Sequence, residues 1–132
     1  MVEIGKNKGL STEELNDLFT LGIVHDVGYQ FGTSAMHQKN GGLVLKKNGY
    51  RYWQEVYYHG IIQNEYTSLY LDILNQADMQ IDKMGRDVGY TGRLEDIKSR
   101  YGETSKVYLS CVNLVNFIKK NETLDDKKVR IN

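Results

Sequence analysis

Five side chains in this sequence belong to the types that bind divalent metals: three histidines and two aspartates. His25 and Asp26 are adjacent, His37 and His59 follow, and Asp78 comes last. Neutral imidazoles combined with carboxylates suit borderline divalent ions such as iron, manganese, cobalt, nickel or zinc. If one or two such ions bind here, a hydroxide that they hold is suited to attack a phosphoester, because the ions stabilise the attacking and the leaving oxygens.

The His25-Asp26 pair is predicted to lie at the end of an amphipathic helix. Ser11-Thr12-Glu13-Glu14 has the pattern of a capping box, in which the serine accepts a backbone hydrogen bond and the last glutamate reaches back. Apolar and small residues follow at intervals of three and four: Leu15, Leu18, Phe19 and Gly22. This spacing predicts that the pair lies on the apolar face of the helix, which Gly28 is expected to end.

Apolar periodicity and glycine breaks predict five further helices, at about 34–47, 50–59, 66–81, 93–101 and 105–120. His37 lies in the first turn of the first of these. Gly41-Gly42 in its middle indicates close packing against another backbone, since a glycine inside a helix costs about 1 kcal/mol relative to alanine. Asp78 lies in the apolar stripe of the third, where a carboxylate is costly unless it is paired or binds a metal. The predicted fold class is all-α, a bundle of about six helices.

The length and composition of the chain limit its class. A chain of 132 residues fits one domain, which we expect to cover residues 1–120, followed by a flexible charged tail at 121–132. Basic and acidic residues number 17 each, which argues against nucleic acid as a partner and leaves a small phosphorylated substrate. The ten tyrosines predict a core with polar fringes, because a buried tyrosine needs a partner for its hydroxyl.

The single cysteine, Cys111, cannot form a disulfide within the chain, which favours a reducing, cytoplasmic setting. It lies in the apolar stripe of the last predicted helix, and we interpret it as a small hydrophobic residue. No segment approaches the ~20 apolar residues that cross a bilayer, so no membrane association is expected.

Each candidate ligand also has a purely structural interpretation. The His25-Asp26 pair is otherwise a core histidine hydrogen-bonded to its neighbour, and Asp78 is otherwise a helix carboxylate paired with a basic residue. If it has only a structural role, His37 faces solvent. In the same interpretation, His59 caps a helix C-terminus, where the helix dipole favours a cation. A helical structural protein with unrelated histidines is the least favoured of the interpretations.

Four segments, in this order, resemble motifs of the HD superfamily of metal-dependent phosphohydrolases. The run LFTLGIVHDVGY, from Leu18 to Tyr29, is similar to the His-Asp signature of the family. The other three resemble motifs of its two-metal branch, which includes bacterial diadenosine tetraphosphate hydrolases: His37 with Gly41-Gly42, then His59, then Ala77-Asp78-Met79. Residues 93–102 also resemble small bacterial HD proteins, so that the likeness covers about residues 10 to 120.

The resemblance implies an HD-type, phosphodiesterase-like helical bundle and a metal-dependent phosphohydrolase. The substrate would be a nucleotide or another small phosphoester, attacked by a metal-bound hydroxide. Asp26 and His25 would be the catalytic residues, with Asp26 bridging the ions or orienting the hydroxide. The implied ligands of one or two divalent transition ions are His25, Asp26, His37, His59 and Asp78.

Three further residues are candidates for substrate contacts. The Arg93 guanidinium suits bidentate recognition of phosphate, although a structural role on a surface helix is an equal alternative. Tyr29 could stack on a base or a sugar, and Lys39 could face the cleft. Arg100 is expected to pair with Asp96 instead.

The chain departs from the family pattern before the His-Asp pair. The pattern begins with another histidine on a preceding helix, whereas none of residues 1–24 is a histidine. We therefore expect an N-terminally shortened HD-type domain that lacks one ligand and exposes an apolar groove, which a homodimer or a swapped segment would cover. The alternative function is that of a degenerate HD domain, which binds a nucleotide or a protein without hydrolysis.

Overall fold

Helices form almost all of the regular structure of the chain. The computed structural model describes residues 1–30, 37–82 and 84–131, except for the side chains of residues 29–30 and 123–131. These residues form a short 3-10 helix at Val27–Gln30, no strand, and seven α-helices: α1 (Val2–Asn7), α2 (Thr12–Val24), α3 (His37–Lys47), α4 (Trp53–Tyr58), α5 (Leu69–Asp78), α6 (Gly89–Tyr101) and α7 (Lys106–Ile131). The predicted all-α fold class is confirmed.

The chain forms two compact units, Met1–Ala77 and Asp78–Asn132. Helix α7 continues to Ile131, past the end expected at Lys120. The prediction of one domain at 1–120 with a tail at 121–132 stays a prediction. None of the described helices is both long and apolar enough to cross a membrane.

Helix α2 begins with the predicted capping box. The Ser11 hydroxyl accepts a hydrogen bond from the Glu14 amide at 3.2 Å, and the Glu14 carboxylate accepts one from the Ser11 amide at 3.0 Å. At the other end, the His25-Asp26 pair follows the last helical residue, Val24, as expected. The expectation that Gly28 ends the helix was wrong, because Gly28 lies within the following 3-10 helix.

The buried face of α2 is narrower than the sequence indicated. Leu18 and Leu21 are fully buried, whereas Phe19 is 61 % exposed. His25 continues the buried row, because it lies four residues after Leu21. Asp26 lies seven residues after Phe19, and its side chain is 48 % exposed, so the prediction of an inward-facing Asp26 was wrong. Spacing alone did not distinguish the two adjacent rows.

An open apolar groove of about 590 Å³ lies along α1 and α2. Phe19 and Ile23, both largely exposed, line it together with Met1, Val2, Glu3, Leu18 and Gly22. An apolar groove was expected from the sequence, and the homodimer that would cover it stays a prediction.

Glycines bring α3 close to its neighbours, as Gly41-Gly42 predicted. A Cβ atom on Gly41 would lie 2.9 Å from the Gly28 amide nitrogen, and a Cβ atom on Gly42 would lie 2.7 Å from Tyr57 Cα. Helix α3 therefore touches both the 3-10 helix and α4 at backbone distance. It ends at Lys47 as expected, while its expected start at residue 34 lies outside the described residues.

Helix α5 is shorter at both ends than the predicted 66–81. It begins after Ser68, whose hydroxyl accepts a hydrogen bond from the Leu71 amide at 3.0 Å and so caps the helix. This cap was not predicted, because the apolar stripe extends beyond the start of the helix. At the other end, Ile81 forms an isolated bridge with Asp87 instead of a further helical turn.

The second unit is built on α6 and α7, which pack around an apolar cluster of Met79, Ile97, Leu114, Val115 and Ile118. Helix α6 begins at Gly89 rather than at Arg93. Cys111 is half-buried against this cluster, and burial raises the pKa of its thiol. Both features agree with its interpretation as a small hydrophobic residue.

Candidate metal centre

Three imidazoles converge on one carboxylate in the first unit. His25 Nε2 lies 3.1 Å from Asp26 Oδ2, and His37 Nε2 lies 3.4 Å from Asp26 Oδ1. His59 Nε2 lies 3.7 Å from the same Oδ1 atom. Four of the five predicted ligands, separated by up to 34 positions in the chain, therefore meet at one point.

Helix ends position all four side chains. His25 caps the C-terminus of α2 and Asp26 follows it, His37 is the first residue of α3, and His59 caps the C-terminus of α4. The close contacts of Gly41 and Gly42 bring these ends together, because they leave no side chain between α3 and the backbones beside it. The glycine pair is thus part of what builds the centre.

Backbone carbonyls hold two of the rings in a defined protonation pattern. His25 Nδ1 lies 2.7 Å from the Gly22 carbonyl oxygen, and His59 Nδ1 lies 2.5 Å from the Val56 carbonyl oxygen. Because a carbonyl only accepts, each Nδ1 carries the proton and donates it. In the neutral imidazole the Nε2 lone pair then points at Asp26, which is the arrangement found in metal-binding histidines.

The centre needs a positive charge. Lone pairs of neighbouring imidazoles and an ionised carboxylate repel one another unless a proton or a metal ion lies among them. The His59 ring stands edge-on to the His25 and His37 rings, with 5.3 Å between centroids in each case. Burial tends to raise the pKa of Asp26, but hydrogen bonds that protonated Nε2 atoms of His25, His37 and His59 donate to it outweigh burial and hold that pKa well below its usual range. Asp26 is therefore a carboxylate at neutral pH.

The donor set fits a divalent transition ion. One ligand atom each from His25, Asp26 and His59 lies within 4.8 Å of the others. Bonds of about 2.0–2.2 Å to one ion bring such atoms to within about 4 Å of each other, so a small inward movement suffices. His59 is only 2 % exposed, whereas Asp26 faces solvent. The imidazoles thus form the buried side of the centre and the carboxylate its open side.

The remaining predicted site residues lie elsewhere in the chain. Asp78 is half-buried, ends α5 and is the first residue of the second unit, so its role as a ligand stays a prediction. Lys39 is half-buried in α3, and the Tyr29 side chain lies outside the described residues.

Arg93 and Arg100 share one acidic partner in the second unit. Arg93 Nη1 lies 3.5 Å from Asp96 Oδ2, and Arg100 Nη2 lies 3.2 Å from the same atom. The predicted pairing of Arg100 with Asp96 is confirmed. The role of Arg93 in phosphate binding stays a prediction.

Two carboxylates that accept hydrogen bonds from tyrosine hydroxyls were not predicted from the sequence. Glu55 is 3 % exposed and accepts hydrogen bonds from Tyr66 at 2.6 Å and from Ser68 at 3.2 Å. Asp17 accepts hydrogen bonds from Tyr52 and Tyr70 at 2.9 and 3.1 Å. The abundance of tyrosine was the available signal, since each buried hydroxyl requires a partner.

No protein-family model, curated protein or solved structure matches this chain.

Proposed function

We propose that the chain is a metal-dependent phosphohydrolase of the HD superfamily, acting on a nucleotide or another small phosphoester. The observation that supports it best is the convergence of three histidine Nε2 atoms on Asp26, with the Nδ1 atoms of His25 and His59 held by backbone carbonyls. A neutral imidazole whose Nδ1 donates to a carbonyl presents its Nε2 lone pair to a ligand, as metal-binding histidines do, and two of the three rings are held in this way.

Each side chain has a separate role in the proposed reaction. One or two ions of iron, manganese, cobalt, nickel or zinc would supply a Lewis acid for the phosphoryl oxygens and for water. His25, His37 and His59 hold the metal from the buried side. Asp26, exposed on one side, adds negative charge and accepts a hydrogen bond from water.

Further parts of the proposal rest on the sequence resemblance and on single residues. Asp78 would complete the ligand set, and Arg93, Tyr29 and Lys39 would contact the substrate. The lone Cys111 favours a cytoplasmic location.

The test is to compare Asp26→Asn with the wild-type protein in metal content and in turnover of a panel of phosphoesters. Asn has the size of Asp but lacks the charge, so bound metal and turnover should each fall by about 100-fold or more. Glu13→Gln, an exposed acid of the same helix, is the matched control and should leave both unchanged. Full metal content and full turnover in Asp26→Asn would refute the proposal.

The second candidate is a degenerate HD domain that binds a nucleotide or a protein without hydrolysis. The same measurements separate the two functions. A protein that binds nucleotide but holds little transition metal and turns over none of the phosphoesters would be the binding module.

A further inference from the structure

Glu55 and His59 are the two buried polar or charged residues among the residues whose burial is described. Both belong to α4 or its cap, and they are four positions apart, so they lie on the same side of the helix. Burying a carboxylate is costly unless its oxygens accept hydrogen bonds. A buried acid one turn from a buried candidate ligand is therefore expected to have a specific role.

Helix α4 cannot fix the position of His59 by itself. It has six residues and no side-chain N-cap, and isolated helices shorter than about 12 residues are marginal in water. Its last turn is weakly closed, because the hydrogen bond from the His59 amide to the Val56 carbonyl is 3.5 Å long. The position of His59 must therefore come from what α4 is attached to.

Two attachments to the start and middle of α5 flank His59 in the chain. Before it, Glu55 Oε1 accepts hydrogen bonds from both Tyr66 and Ser68, and Ser68 caps α5. After it, the Gly60 amide donates to Asn75 Oδ1 at 2.8 Å. The histidine thus lies between two hydrogen-bonded anchors on the same neighbouring helix.

The segment that provides the Glu55 partners is itself ordered. Gln63 donates from Nε2 to the Tyr66 carbonyl at 2.7 Å and accepts from the Tyr66 amide at 2.9 Å. The Tyr66 ring also stacks on Tyr58, with 5.6 Å between centroids. The Tyr66 residue that donates to Glu55 is therefore itself held in place by Gln63 and Tyr58.

We propose that Glu55 is a positioning residue of the metal centre, which holds His59 at the ion through the Tyr66 and Ser68 hydroxyls. The inference rests on the proposed metal site. Metal sites tolerate displacements of only about 0.2 Å in ligand distance, so a shift of α4 lowers affinity even when the protein stays folded.

The test is a double-mutant cycle on Co²⁺ affinity, followed by the visible absorption of the bound ion. Glu55→Ala should weaken Co²⁺ binding by about 10- to 100-fold, as loss of an outer-sphere partner does. If Glu55 acts through His59, the Glu55→Ala/His59→Ala protein should bind no more weakly than His59→Ala alone. Additive losses would overturn the proposal, since they would mean that Glu55 affects the centre without His59.

Conservative variants separate positioning from general stability. Glu55→Gln keeps an Oε1 acceptor for both hydroxyls and should restore affinity to within about threefold of the wild type. A Tyr66→Phe/Ser68→Ala protein should lose affinity as Glu55→Ala does, which tests the proposal even if Glu55→Ala fails to fold. Tyr90→Phe removes a matched hydroxyl, which donates to Glu122 at 2.7 Å in the second unit, and should leave affinity unchanged.

The outcomes distinguish this inference from the function on which it rests. A wild-type protein that binds no Co²⁺ contradicts the metal site itself. A wild-type protein that binds Co²⁺, with Tyr66→Phe/Ser68→Ala equal to Tyr90→Phe, overturns the role of Glu55 alone.

Discussion

The two units of the chain are stabilised in different ways. In Met1–Ala77, the apolar cluster of Leu21, Val56 and Leu74 is accompanied by buried Glu55 and His59. In Asp78–Asn132, the buried cluster is entirely apolar, and the ion pairs of Asp82 and Asp96 lie outside it. Polar groups are buried at a cost in stability, so their concentration in the first unit indicates where function is to be sought.

The units also differ in how their helices approach each other. Helices α6 and α7 meet through large side chains such as Ile97 and Leu114. Helix α3 meets its neighbours through Gly41 and Gly42, at distances that no side chain allows. Side-chain volume therefore determines the packing of the second unit, whereas the absence of side chains determines the packing around the candidate metal centre.

The largest effect on stability is expected in the second unit. Leu114→Ala removes buried volume from the cluster and should lower the free energy of unfolding by about 2–5 kcal/mol, measured by denaturant titration. Val107→Ala is the matched control on the same helix, because Val107 is largely exposed, and it should change stability by less than about 0.5 kcal/mol. Equal effects of the two substitutions would contradict the packing of α7 described here.

The next effect tests the glycine packing of the first unit. Gly42→Ala places a Cβ atom 2.6 Å from Tyr57 Cβ and 2.7 Å from its Cα, so α3 and α4 must separate. Stability should fall by about 1–3 kcal/mol, and Co²⁺ affinity should fall with it, because His37 and His59 lie on these two elements.

Gly22→Ala is the control, and it should raise the stability of the protein instead of lowering it. Among the described residues, its Cβ would meet the flexible end of Met1, at 3.2 Å from Sδ, and alanine favours a helix interior over glycine by about 1 kcal/mol. A loss of stability in Gly22→Ala as large as that in Gly42→Ala would show that backbone contact is not what distinguishes the two glycines.

A smaller and pH-dependent effect concerns Tyr50, whose buried hydroxyl has no hydrogen-bond partner among the described residues. Burial, together with the nearby Asp17 and Glu55 carboxylates, raises the pKa of Tyr50 to about 12 from its ordinary 10.0. The neutral ring thus contributes stability that is complete below pH 10 and is lost as the pH rises through about 12.

Tyr50→Phe should therefore leave stability near pH 7 unchanged or slightly higher, since no hydrogen bond of the described chain is lost. Between pH 10 and 12 it should lose less stability than the wild type in urea titrations. A marked loss at pH 7 would mean that the hydroxyl does have a partner.

Local features were predictable from the sequence, whereas their tertiary setting was not. The capping box of Ser11 and the close packing of Gly41-Gly42 depend on neighbouring residues and on the absence of a side chain, and both predictions are confirmed. The exposure of Phe19 depends on what packs against α2, which helical spacing does not encode. The Ser68 cap was missed because Tyr66 continues the apolar stripe beyond the true helix start.

The candidate centre shows the same division. Residue types and the family resemblance predicted one ligand set of the three histidines, Asp26 and Asp78. The structure brings the histidines and Asp26 together, and the role of Asp78 stays a prediction. The exposure of Asp26 and the burial of Glu55 were not predictable, because both depend on neighbours that are distant in the sequence.

The most direct test of the metal centre is a Co²⁺ titration of the wild-type protein and of His59→Gln, followed by visible absorption and by the amount of ion retained after dialysis. His59 is the most deeply buried of the converging side chains, so its loss should not affect solvent-facing, adventitious binding. We expect saturable binding of one or two ions by the wild-type protein, with an absorption spectrum that differs from that of free Co²⁺. In folded His59→Gln we expect an affinity lower by about 100-fold or more and a changed spectrum. Equal affinities and equal spectra in the two proteins, or no binding by the wild type, would contradict the candidate metal centre.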